Sequence, residues 1–90
     1  MTQPITPADL AAMEARCAAA TAGPWEHEWT GYRYAIESRD GVIAKLSEYV
    51  TMEKERMDAE FIAASRTDIP RLLAEVRRLR EQLGEHHGCD

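Results

Sequence analysis

The spacing of apolar positions changes twice along the chain. Leu10, Met13, Cys17 and Ala20 recur at helical spacing behind the segment Thr6-Pro7-Ala8-Asp9. Threonine accepts from the unpaired N–H groups of a helix start, proline suits the first position, and aspartate complements the positive end. The pattern predicts a helix from about Pro7 to Thr21, stopped by Gly23-Pro24. Ala11, Ala12, Ala15, Ala18 and Ala19 on its back raise helix propensity and would let a second helix approach closely. From Trp25 the period falls to two. Trp25, His27 and Trp29 alternate with Glu26, Glu28 and Thr30, and Tyr32, Tyr34 and Ile36 with Arg33, Ala35 and Glu37. Val42, Ala44 and Leu46 follow the same rule, with Asp40-Gly41 as a hairpin turn and Gly31 as a possible second reversal. This reads as an antiparallel meander of two or three strands, too small to be stable unless one face lies on helices.

Helical spacing then returns. Thr51 can cap a helix running to Ser65, with Val50, Met57, Phe61 and Ala64 on one face. Thr67 or Asp68 can cap another, with Pro70 in its first turn and Ile69, Leu72, Leu73, Val76, Leu79 and Leu83 on one continuous face up to Gly84. Helix, meander, helix, helix is an α+β order. It predicts a single small α+β domain over 1–84 and a flexible polar tail over 85–90.

Composition turns this layout into a problem of cover. The chain has 90 residues, and 14 of its apolar residues are alanine, which leaves 26 larger apolar or aromatic side chains. A domain of this size is marginal on its own. Ile69, Leu72, Val76, Leu79 and Leu83 step by three and four, the a/d spacing of a coiled coil. Leu72, Val76, Leu79 and Leu83 are therefore candidate contacts of a homodimer. Leu73 widens the stripe and fits ordinary packing within one domain equally well.

Charge and cysteine narrow the function classes. A formal net charge of −5 disfavours nucleic acid as a partner, since phosphate contacts need lysine and arginine. Residues 66–83 do carry five arginines, a local net charge of +2. Arg71 and Glu75, Glu75 and Arg78, and Arg77 and Glu81 stand at pairing distance along one helix and predict a solvated face instead. No run is long and apolar enough for a membrane span, and the N-terminus lacks the pattern of a signal peptide, so a cytoplasmic protein is expected. Cys17 reads as a small hydrophobe and Cys89 as part of a frayed end, with no disulfide between them.

Four of the six aromatic residues, Trp25, Trp29, Tyr32 and Tyr34, fall in the meander. Trp25 is assigned to the core. Trp29, Tyr32, Arg33 and Tyr34 are the candidate binding residues, as a hot spot for a protein partner or as a stacking surface for a small nucleotide. Catalysis finds little support. Glu26 and Glu28 share one strand face with His27 on the other, and there is neither a nucleophile motif nor a phosphate-binding glycine loop. His86, His87 and Cys89 have metal-ligand chemistry but lack a set of four partners, so no metal or cofactor is expected.

Two strings carry a resemblance. The first is Thr6-Pro7-Ala8-Asp9-Leu10 to Arg16-Cys17-Ala18-Ala19-Ala20-Thr21, closed by Gly23-Pro24-Trp25. The second is Asp58-Ala59-Glu60-Phe61-Ile62-Ala63, then Arg66-Thr67-Asp68-Ile69-Pro70 and Leu72 to Arg80. Together they cover roughly half the chain, which resembles short accessory proteins of actinobacteria and their phages, related to Ead-type phage proteins. Ala22 stands where many such proteins have proline. The resemblance implies phage or prophage origin, terminal helices around a variable middle, and no catalytic residues to carry over. The expected function is a non-enzymatic, homodimeric binding module that contacts a host or phage protein in the host cytoplasm, as in counter-defence. The alternatives are a nucleotide-signal sponge and a weak nucleic-acid-binding regulator.

Overall fold

The computed structural model of the chain describes residues 3–46 and 51–88. Its elements follow in the order α1 (Pro7–Ala19), β1 (Glu26–Trp29), β2 (Tyr34–Ser38), β3 (Gly41–Lys45) and α2 (Met52–Gly88). The class is α+β: a helix, an antiparallel sheet in the order β1-β2-β3, and a long C-terminal helix. Tyr49, Val50 and Cys89, and the side chains of His86 and His87, lie outside the described residues.

α1 begins as its sequence predicts. The Thr6 hydroxyl accepts from the Asp9 N–H at 3.0 Å, and the Asp9 carboxylate accepts from the Thr6 N–H at 3.0 Å. These bonds, the backbone one foremost, hold the Asp9 carboxyl below its usual range. The helix ends two residues earlier than predicted, with Ala20 already extended. Only Leu10 of its apolar stripe is fully buried; Met13 and Cys17 are half-buried, and the five alanines on its back are exposed.

The meander has three strands. Trp29 faces Tyr34 and His27 faces Ile36 across β1 and β2, and Ile36 faces Ala44 across β2 and β3. Gly31, at φ +93°, makes the first reversal, tied by the Thr30 N–H to the Arg33 carbonyl at 2.9 Å. The second turn lies one residue earlier than predicted. Ser38 pairs with Gly41, so Arg39 and Asp40 form the loop and Gly41 follows it at φ +129°. Among the described residues only Gly31 and Gly41 have positive φ, so in this second turn the unusual conformation falls to Gly41. An irregularity between Ile36 and Glu37 shifts the register of β3, and Ile43 joins the core cluster there while Ala44 stays exposed.

The predicted pair of C-terminal helices is one helix of 37 residues. Thr51 caps its start, accepting from the Lys54 N–H at 3.1 Å. Thr67 and Asp68 do not interrupt it, Pro70 lies inside it, and it runs past Gly84. Proline in a helix interior costs about 3 kcal/mol. Unbroken packing offsets this: Ala63, Arg66, Pro70 and Leu73 form one stripe of buried and half-buried positions across the predicted break.

α2 is the spine of the molecule. The sheet packs on its first half and α1 on its second, and among the described residues α1 does not pack on any strand. The core under the sheet consists of Ile36, Ala59 and Ala63, flanked by Trp25, Tyr34, Ile43 and Leu46. This corrects the predicted inner face of the first half of α2. Met57 and Phe61 point outward, Phe61 with 75% of its surface exposed. The buried positions are Glu55, Ala59 and Ala63, since small side chains let a sheet lie close to a helix.

Candidate functional site

The four meander candidates do not form a single platform. Trp29 and Tyr34 are cross-strand partners whose ring centres lie 5.0 Å apart at 57°. Tyr34 is half-buried and belongs to the core margin, whereas Trp29 leans on it with 41% of its surface exposed. Tyr32 sits in the turn before β2 and is 67% exposed. The Arg33 guanidinium lies 5.0 Å above its ring. Trp29 and Tyr32 thus offer open aromatic surface on either side of the β1–β2 turn, while Tyr34 serves mainly to position Trp29. Trp25 is a core-margin residue as predicted, its indole N–H bonded to the Thr21 carbonyl at 3.1 Å.

A residue the sequence reading passed over holds this region in place. Glu55 is only 3% exposed, and its carboxylate accepts the Tyr34 N–H at 2.5 Å. Charge-assisted bonds of this kind are about twice as strong as neutral ones. The sequence signal was an acid in the first turn of a helix, which ordinarily means only a favourable dipole contact. Its burial depends on where β2 lands.

The two faces of the sheet differ chemically. His27 faces α2, with its Nε2 atom 3.9 Å from a Glu60 carboxylate oxygen. On the outer face Glu28 hydrogen-bonds Glu37, with Glu26 nearby. The bond from Glu28, then burial and the neighbouring negative charges, push the Glu37 carboxyl above its usual range. The expected separation of His27 from Glu26 and Glu28 therefore holds, and no acid–base pair forms between them.

Of the candidate dimer contacts on α2, Leu72, Leu79 and Leu83 are exposed, Leu72 by 63%, and Val76 is half-buried. Leu73 alone of the predicted stripe is buried. Beside them runs an apolar groove of about 650 Å³ between the two helices, lined by Met13 and Cys17 of α1 and by Ile69, Leu72 and Val76 of α2.

The arginines divide between α1 and the helix surface. Arg78 pairs with Glu75 as predicted, which raises the arginine and lowers the glutamate. Arg77 makes its direct bonds to Glu14 of α1, through two nitrogens, and Glu81 adds only a smaller charge attraction. Arg66 closes the end of α1: its Nε donates to the Thr21 carbonyl at 2.9 Å and one terminal nitrogen to the Cys17 carbonyl at 3.1 Å. Its guanidinium also lies 6.0 Å from the Trp25 ring. Gly23 permits this, because a Cβ there would stand 3.0 Å from Cγ of Arg66. Among the described residues no group of three or more histidine, cysteine or acidic side chains could hold a metal ion, and no helix is long and apolar enough to cross a membrane.

No protein-family model matches the chain, and no match was found among curated proteins or solved structures.

Proposed function

We propose that this protein is a non-enzymatic binding module of phage or prophage origin, a homodimer that contacts a host or phage protein in the host cytoplasm as a counter-defence or host-takeover factor. The observation that carries the reading is the open aromatic surface at the β1–β2 turn. Trp29 and Tyr32 are exposed there on a backbone tied down by the Thr30–Arg33 bonds and by Glu55. Exposed aromatics on a rigid turn are the usual anchors of protein recognition, since they bury large area at small entropic cost. The resemblance of the two helical strings to Ead-type accessory proteins supports the origin and the non-enzymatic character.

The test is affinity capture from host lysate with wild type and with Trp29→Ala/Tyr32→Ala. One protein retained by the wild type and lost from the variant, with the variant's circular dichroism unchanged, supports the reading. Equal retention by both removes the turn from recognition. Tyr32 also keeps a nucleotide ligand as the second reading, because its exposed ring offers a base a stacking face. A thermal-shift screen against linear and cyclic nucleotides tests it; no shift with any of them eliminates it.

A further inference from the structure

We infer that the exposed stripe of α2 is a self-complementary seam on which a second copy of this chain docks its own α2 in parallel. The inference rests on the homodimer reading and specifies its surface and direction.

The first observation is area. The chain exposes 7103 Å², where a compact chain of 10.2 kDa exposes about 5,300 Å². Its radius of gyration is 17.3 Å, against about 12 Å for a compact domain of this length. The excess is about 1,800 Å², and an obligate homodimer withdraws on the order of 1,000–2,500 Å² from each partner.

The second observation is register. Because α2 is continuous, the stripe reaches back beyond Ile69: Ile62, Ser65, Ile69, Leu72, Val76, Leu79 and Leu83 step by three and four throughout. Assigning Ile62, Ile69, Val76 and Leu83 to position a leaves Ser65, Leu72 and Leu79 at d. Branched residues at a with leucine at d favour two parallel strands. Pro70 falls outside this seam, on the side half-buried with α1.

The third observation is charge. Asp68 and Glu75 flank the seam at g; at e stand the buried Leu73 and two arginines that each hold backbone carbonyls of their own chain, Arg66 those of Thr21 and Cys17 and Arg80 that of Ile5. A parallel pair sets Glu75 of one copy beside Arg80 of the other. An antiparallel pair that sets Ile69 against Leu79 also sets Glu75 against Glu75 and Arg66 against Arg80, like charges on both flanks. Ile69, Leu72 and Val76 line both the seam and the α1–α2 groove, so the partner helix also lies along the mouth of that groove.

The experiment uses the full chain with Cys17→Ala and Cys89→Ala. Sedimentation equilibrium is expected to give twice the 10.2 kDa chain mass. Adding Leu79→Cys should then yield a disulfide-linked dimer in oxidised glutathione, because position 79 meets itself only in a parallel pair. The double variant Asp68→Cys/Glu75→Cys reports the antiparallel arrangement and should stay unlinked. A two-chain mass with no link through Leu79→Cys overturns the seam and leaves the homodimer intact. A one-chain mass at every concentration overturns both. Leu79→Glu should reduce the mass to one chain with helicity retained; if that variant fails to fold, the Leu79→Cys link still decides.

Discussion

The two halves of α2 cover themselves by opposite means. The first half offers small residues, Ala59 and Ala63, and the bulk comes from Ile36, Tyr34 and Ile43 of the sheet with Trp25 and Leu46 flanking it. The second half brings its own bulk in leucine, but its neighbour α1 is short and rich in alanine. At 13 residues α1 is about 20 Å long, and of the leucines on the facing half of α2 only Leu73 is buried. The first interface closes within one chain, whereas the second leaves Leu72, Leu79 and Leu83 open. The shortage of cover seen in the composition therefore forms a continuous stripe along one side of the second half of α2, while in the first half Met57 and Phe61 stand open away from the sheet.

The sharpest way to break this contrast is to empty one position in each half. Ile36→Ala removes a fully buried side chain and should cost about 2–5 kcal/mol, lowering the melting temperature by on the order of 10 °C or more. Leu79→Ala in dilute protein should change urea stability far less, since that side chain is open in the single chain. Equal losses would place Leu79 in the core of one chain.

Next in size is the buried carboxylate. Glu55→Ala leaves the Tyr34 N–H without its partner and should cost about 1.5–3 kcal/mol by urea denaturation. Glu55→Gln, which keeps an acceptor, should recover part of that loss. On the α1 side, Arg66→Ala frees the Thr21 and Cys17 carbonyls and should cost about 1–2 kcal/mol. Arg66→Lys should not restore it, because one ammonium cannot reproduce the guanidinium fork. Gly23→Ala should mimic the loss in part by pushing the Arg66 stem aside.

The smallest effect is electrostatic and belongs to the outer face of the sheet. The Glu37 carboxyl is raised in the folded chain. Its contribution to stability is present below the ordinary glutamate range, about 4.3, and is lost as pH rises through the folded value. Glu37→Gln removes that dependence. The stability of the variant relative to wild type should therefore grow as pH climbs from acid to neutral, as followed by thermal melts. A difference independent of pH would show that the three acids do not interact.

Much of this architecture is legible in local chemistry. Thr6 and Thr51 mark true helix starts because capping needs only neighbouring residues. The period-two aromatic run marks the strands because alternation is a property of the backbone. The misreadings arise where a distant neighbour decides. Thr67, Asp68 and Pro70 look like a helix start, yet packing against α1 carries the helix through them. Phe61 and Met57 look like core, yet the sheet lands on the alanine face. Arg77 looks paired with Glu81, yet Glu14 of α1 competes for it. Among the candidate binding residues, Trp29 and Tyr32 emerge open and Tyr34 half-buried, a division set by the position of the β1–β2 turn relative to α2.

The amino-acid sequence by itself determined the α+β class, the caps at Thr6 and Thr51, the period-two strands and the spacing of the leucine stripe, because each depends on residues within a turn or two of one another. Only the tertiary structure decided which faces are covered. Burial is a property of pairs of surfaces, and the sheet and α1 are each too small to surround α2.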